Sequence, residues 1–207
     1  MIDLFHNATQ TNRTDDLDQE RYDHLSAVCK LDLIEGDILE FGVYQGGTIN
    51  FMAEQFPNQT LYGFDSFEGL PEDWKISFNE KFNKHKKGYF AVDNLPVVKN
   101  NVSLVKGFFD TSLPKWLTTN KINTIKILHI DSDLYSSAKI VFDNLNNFIV
   151  PGTVIVFDEF YPWGRKRYET WEEHEYKALC EWVEKYNRTF EVVYRNNHQQ
   201  CSIRITK

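Results

Sequence analysis

Two apolar runs in this chain end in acids. VIVFDEF (154–160) passes from four apolar residues into Asp158 and Glu159, and ILHIDSD (127–133) ends in Asp131 and Asp133. Carboxylates at the end of a core strand repel one another and are costly to desolvate. If the two strand ends lie side by side, Asp131, Asp158 and Glu159 offer hard oxygen ligands with no Cys or His among them, which suits Mg²⁺. The competing reading makes Asp131 a helix cap and pairs Asp158 and Glu159 with Arg165, Lys166 or Arg167 in a loop. Asp133 and Tyr135 are expected to support the ligands or start a helix rather than bind. His129, inside the apolar run, is expected as a satisfied core histidine, and His174 is expected on the surface of a late helix.

A second constellation lies upstream. EFGVYQGGT (40–48) follows a strand and opens a helix. Gly42 and Gly46 let the backbone approach a ligand at the helix N-terminus. Asp65 ends the next strand, where an acid accepts hydrogen bonds from ribose hydroxyls. Strand, glycine turn, helix, strand and terminal Asp together point to a nucleoside-containing cofactor. Tyr44 stands where a dinucleotide site needs its middle glycine and would crowd a pyrophosphate. Glu40 would repel phosphate but attract a cation or accept from an amine. A cofactor without phosphates fits better.

These groups need a frame. The periodic positions Tyr22, Leu25, Cys29 and Leu33 predict a helix over 18–33, after a polar, loose 1–16. Strands are predicted at 37–43, 60–66, 102–108, 126–132 and 153–159. Helices are predicted from Gly46 to Gln55, over 113–119 capped by Asp110 or Thr111, over 136–148 and over 169–187. EVVYRNN (191–197) and CSIRITK (201–207), joined by a turn near His198, predict a closing antiparallel hairpin. Strand–helix alternation implies a parallel sheet covered on both faces, made mixed by the hairpin. One domain over 1–207 is expected, with a helical extension over 1–35. The connection 71–101 is too long for an ordinary loop. It carries Lys81, Lys84, His85, Lys86 and Lys87, and reads either as a solvated face or as a lid that turns positive charge toward an anionic substrate.

Composition narrows the function classes. The 207 residues are 42% hydrophobic and 15% aromatic, enough for one α/β domain with a packed core. A formal net charge of −7 disfavours a nucleic-acid partner. Three dispersed cysteines, Cys29, Cys180 and Cys201, predict reduced thiols and a cytoplasmic protein. No apolar run is long enough to span a membrane, and no secretory signal is visible.

Five stretches in order, 40–48, LYGFDSFEGLP (61–71), LVKGFFDTSLP (104–114), LHIDSDLYSS (128–137) and GTVIVFDEF (152–160), resemble the class I S-adenosylmethionine-dependent methyltransferases. More narrowly, they resemble the macrocin O-methyltransferase-like group, which methylates sugar hydroxyls. The likeness covers about 36–165. It implies a Rossmann-like, seven-stranded mixed sheet with its last strand antiparallel. It implies that Gly42 and Gly46, with Glu40, Phe41, Tyr44 and Thr48 in the same turn, line the cofactor. Asp65 would take the ribose, Ser66 and Phe67 would flank the adenine, and Gly107 and Phe108 would lie close to it. It also implies a metal at Asp131, Asp158 and Glu159. The expected reaction is an Mg²⁺-assisted O-methylation of a sugar or glycosylated small molecule. Asp131 is the first choice of general base, because it would touch both metal and hydroxyl. Phe41, Phe67, Phe108, Tyr161 and Trp163 are candidate walls. An NAD-dependent oxidoreductase and a non-catalytic cofactor-binding subunit are the alternatives, and the N-terminal helix is free to pack between subunits.

Overall fold

Strands that are apolar on both faces must sit in the middle of a sheet. In the computed structural model, which describes residues 2–11, 16–163 and 168–207, IKILHI and VIVF do so. The strands are β1 (Thr9–Gln10), β2 (Asp37–Phe41), β3 (Leu61–Asp65), β4 (Val102–Lys106), β5 (Ile125–Ile130), β6 (Val154–Phe157), β7 (Phe190–Arg195) and β8 (Cys201–Ile205). The helices are α1 (Ile2–His6), α2 (Leu17–Cys29), α3 (Gly47–Gln55), α4 (Phe109–Thr119), α5 (Tyr135–Leu145) and α6 (Glu175–Lys185). One sheet runs β1-β7-β8-β6-β5-β2-β3-β4. Its neighbours pair parallel except at β8, which is antiparallel to both β6 and β7.

The expected sheet is therefore present with one strand more. Thr9 and Gln10 pair parallel with Tyr194 and Arg195. Two polar residues held by backbone bonds leave no alternation to read, so the segment looked loose. The late helix is shorter than its periodicity suggested, because a 3₁₀ turn at Trp171–Glu173 precedes α6. Helix α4 starts earlier than expected, with Phe108 rather than Asp110 or Thr111 at its cap. The insertion is not structureless. Trp74 bridges His85, a 3₁₀ turn spans Glu80–Phe82, and Trp74 joins Leu70, Leu134 and Tyr168 in a small apolar cluster. Among the described residues no helix is long and apolar enough to cross a membrane.

Side chains alternate across the sheet with period two, and this sorts the site. Leu39, Phe41, Leu128, Ile130, Ile155 and Phe157 face the layer of α4, α5 and α6. Ile38, Ile127, Val154 and Val156 face α2 and α3. Glu40 and His129 share that second parity and are register partners on β2 and β5. Asp158 continues it past β6. Helix α2 thus covers polar groups and carries polar groups of its own inward, with Glu20 and His24 both buried.

His24 gives a pH signature. It is 0% exposed, and neither ring nitrogen has a hydrogen-bond partner. Burial lowers its pKa to about 3; the Asp158 charge opposes this and the His129 charge adds a little to it. A histidine depressed in the fold stabilises above its unfolded pKa near 6.5 and loses that contribution as pH falls toward the folded value. Between pH 7 and pH 5 the loss is about 2 kcal/mol, at about 1.36 kcal/mol per unit. His24→Leu should flatten this fall in urea melts at the two pH values. An identical fall in the variant would contradict the assignment.

Candidate active site

The carboxyl ends of β2, β3, β5 and β6 open into a cavity of about 740 Å³. The glycine turn forms one wall. Gly42, Tyr44 and Gly46 all take positive φ, at 97°, 48° and 81°. Tyr44 is not glycine, so its conformation is unfavourable unless its surroundings hold it. Asp65 does so. Its Oδ2 accepts from the backbone N–H of Val43 and of Tyr44, each at 2.8 Å, and its Oδ1 accepts from Phe67 N–H at 2.7 Å. A carboxylate has about four acceptor positions, so Asp65 braces the turn and keeps capacity toward the cavity it borders. The Tyr44 ring is half exposed and meets Phe90 edge-on at 5.4 Å.

The acids form the other end. Asp131 N–H donates to Phe41 O and Asp158 N–H to Ile130 O, so the residues after β5 and β6 stand level. Ligand atoms of Asp131, Asp133 and Glu159 lie within 4.8 Å of one another, and those of His129, Asp131 and Asp158 do likewise. Asp131 belongs to both groups. Asp133 takes φ 61° and borders the cavity with Asp131 and Glu159. Helix α5 has Leu134 at its cap and no side-chain cap, so Asp131 does not serve there.

Charge differs sharply among these groups. Burial and the Asp158 charge raise Asp131 well above the usual carboxylate range. The same two causes raise Asp133 to about 7. Burial, then the charges of Asp158, Asp133 and Asp131, raises Glu159 well above its usual value. Its Oε1 accepts from Gln199 Nε2 at 2.9 Å, and its Oε2 has no partner. Asp158 is the exception. Burial pushes it up, but Arg21 and then His129 outweigh this and hold it below its ordinary value. Arg21, from α2, donates to Asp158 Oδ2 at 2.5 Å. The loop cations that might have paired with these acids, Arg165, Lys166 and Arg167, lie outside the described residues.

Of the predicted residues, Gly42, Tyr44, Thr48, Asp65, Ser66 and Phe108 border the cavity, as do Asp131 and Glu159. Others do not. Glu40 is buried, with Oε2 2.9 Å from His129 Nδ1, because even parity turns it toward the layer of α2 and α3. Phe41 stacks on Phe64 in the core at 4.6 Å. Phe67 is buried, and Phe67, Gly46 and Gly107 are not among the residues that border the cavity. Asp158 is turned to Arg21 instead of the cavity. Tyr161 and Trp163 pack on each other away from it. His129 lies in the core as expected but is only half satisfied, since Nδ1 meets Glu40 while Nε2 has no hydrogen-bond partner. His174 is buried and sits 3.0 Å from Lys75 O through Nε2, because the insertion covers it. Within the insertion Lys87 reaches the cavity with Pro71, Glu72, Trp74 and Phe90, while Lys86 binds Asp73.

Two residues escaped the sequence reading, and a third, Asp133, was expected only as support or a helix start, whereas it stands in the acid group itself. Arg21 carried no local signal. Glu175, fully buried, accepts from Ser132 N–H at 3.1 Å through Oε1 and so grips the backbone between the two aspartates.

Known proteins share this fold. Residues 12–181 match the family described as macrocin-O-methyltransferase (TylF). The demethyldecarbamoylnovobiocin O-methyltransferase of Streptomyces niveus is 27% identical over 144 residues, covering 61% of this chain and 53% of that protein. The 8-demethyl-8-(2,3-dimethoxy-alpha-L-rhamnosyl)-tetracenomycin-C 4'-O-methyltransferase of Streptomyces olivaceus is 26% identical over 147 residues, covering 62% and 54%. The chain thus spans about half the length of these curated relatives. Among solved structures, the O-methyltransferase NovP superposes with a TM-score of 0.67 at 19% identity over 90% of this chain and 80% of that one. The MycE methyltransferase of the mycinamycin pathway, in complex with Mg and SAH, gives 0.51 at 15% identity over 83% and 45%. The structural likenesses establish the methyltransferase fold, and the match over most of the chain establishes that it belongs to the macrocin O-methyltransferase family.

Proposed function

We propose that the protein is an S-adenosylmethionine-dependent, divalent-cation-assisted O-methyltransferase acting on a hydroxyl of a sugar or glycosylated small molecule. One observation carries the reading. The braced glycine turn and the acid cluster face each other across a single cavity, with Asp131 against Gly42. The activities of the relatives agree with it, and the sugar in one of their names suggests the acceptor class. Neither an NAD-dependent oxidoreductase nor a non-catalytic subunit is favoured by family membership.

The residues present fit a cation. The donor set is all oxygen, and Glu159 Oε2 is buried without a partner. Asp131 and Glu159 would hold it, Asp133 lying within the same group. Mg²⁺, when bound, supplies Lewis acidity toward a hydroxyl, and S-adenosylmethionine supplies an electrophilic methyl group. The chain's own groups do the positioning. Asp65 holds the turn and offers its remaining acceptor capacity to ribose hydroxyls. Leu70, Trp74, Phe90, Phe108 and Ile140 line the cavity and exclude water. With Asp131 committed to the cation, Asp133 is the better placed base and takes the hydroxyl proton on a carboxylate oxygen. The insertion, through Trp74, Lys87 and Phe90, covers the acceptor side as a lid would.

Calorimetry with S-adenosylhomocysteine tests the cofactor. The protein should bind it, and Asp65→Ala should weaken binding about tenfold or more, about 1.4 kcal/mol. Absence of binding to the unaltered protein ends the reading.

A further inference from the structure

Arg21 stands where the family's metal would draw on Asp158. Its guanidinium donates to Asp158 Oδ2 at 2.5 Å, while Oδ1 of the same carboxylate, buried and without a hydrogen-bond partner, faces His129 Nε2 at 4.0 Å. The Asp158 side chain is 1% exposed and that of Arg21 is 32% exposed, so the arginine reaches in from the cavity side. It comes from α2, outside the acidic strand ends, and its charge also interacts with Asp131 and Glu159.

We propose that Arg21 is an internal counter-cation that competes with the divalent ion for Asp158, lowering metal affinity in return for a site that stays folded when empty. A buried carboxylate left without a partner is strongly destabilising. Asp131, Asp133, Asp158, Glu159 and Glu175 are crowded together, and His129 is engaged with Glu40. Arg21 supplies the positive charge that the cluster needs before any ion arrives. The same charge then repels an incoming dication and occupies one of its ligands. While Arg21 stays in place, the donors left are Asp131 and Glu159, with Asp133 beside them in the group whose ligand atoms already converge. Proteins that rely on the metal itself for this balance fold only with metal bound; this chain carries its substitute.

The inference rests on the cation site proposed above, and its test separates the two. Mn²⁺ is titrated by calorimetry into the full chain without cofactor or acceptor. Arg21→Met and Arg21→Gln should bind Mn²⁺ about tenfold tighter or more, since a unit charge a few ångströms away is removed. Arg21→Lys, which keeps the charge, should stay near the unaltered protein. In Arg21→Met/Asp158→Asn, where the pair is removed together, the gain should vanish. In chelator, Arg21→Met should melt lower than the unaltered protein, and saturating Mn²⁺ should raise its melting temperature by more. Arg21→Gln keeps a donor for Asp158 and so provides a folded neutral variant if Arg21→Met does not fold. Equal or weaker Mn²⁺ binding by Arg21→Gln, with the unaltered protein binding, overturns the competition alone. Absence of binding by every variant and by the unaltered protein overturns the cation site as well.

Discussion

Asp131→Asn should melt at a higher temperature than the unaltered protein in chelator, while losing about 10³-fold or more in methyl transfer. The two effects have one cause. Asp131 is shared by both donor groups, so its removal takes away the ligand that no neighbour replaces. Lewis-acid stabilisation of developing charge is worth several kcal/mol, and about 4 kcal/mol corresponds to the stated loss. The stability gain follows from the sign of the titration. Burial and the Asp158 charge raise the Asp131 pKa, which means the fold disfavours its ionised form. A group raised in this way costs stability as pH rises through its unfolded value, so a neutral amide of the same shape should relieve strain at pH 8 and change little at pH 4. Saturating Mg²⁺ should reverse the order of melting temperatures, because the unaltered site alone retains its shared ligand. Thermal melts with and without chelator, alongside a turnover assay, read all three. A lower melting temperature for the variant in chelator would mean that Asp131 serves the fold rather than the ion.

This conflict between stability and chemistry is what made the site legible. Apolar strands that run into carboxylates break the local rule that buried ends are neutral, and such breaks gather at functional sites. The runs 126–132 and 153–159 were therefore readable both as strands and as acid-bearing ends. Strand adjacency followed from the alternation of elements. Parity did not follow. Glu40 looked like a member of the glycine turn in sequence, yet its register partner is His129 and both face α2. That assignment depends on the pleat across two strands far apart in the chain. Arg21 depends on more still, namely the docking angle of a helix that precedes the sheet. A hint existed in the helix itself. Stepping back one turn from buried Leu25 and Val28 reaches Arg21 and His24, so polar residues lie on a side that must face the sheet. Two-residue β1 and the buried setting of His174 had no such hint, since backbone pairing and cover by the insertion leave no pattern in the residues concerned.

Gly42→Ala should be the most damaging single-methyl change in the turn, and comparison with Gly46→Ala isolates why. Both glycines take positive φ, at 97° and 81°. The conformational cost of a side chain there is about 1–2 kcal/mol and is common to both. Their surroundings differ. A Cβ at Gly46 would meet nothing nearer than 3.4 Å, with Asn50, Pro96 and Val98 around it. A Cβ at Gly42 would stand 1.7 Å from the backbone oxygen of Asp131. Backbone cannot yield as a flexible side chain can, because Gly42 N–H donates to Phe64 O and Asp131 N–H to Phe41 O, both at 2.9 Å. Overpacking adds about 1–3 kcal/mol, so Gly42→Ala should cost about 2–5 kcal/mol and Gly46→Ala about 1–2. For a chain of this size each kcal/mol lowers the melting temperature by about 2–4 °C. Gly42→Ala should therefore melt about 10 °C lower and Gly46→Ala only a few degrees lower. Function should separate further. The clash pushes on the residue that the cation shares, so surviving folded Gly42→Ala protein should lose Mn²⁺ affinity as well as S-adenosylhomocysteine affinity. Gly46→Ala should keep the former. If Gly42→Ala keeps Mn²⁺ binding while losing the nucleoside, the turn and the acids act independently, and the single cavity is two sites that happen to adjoin.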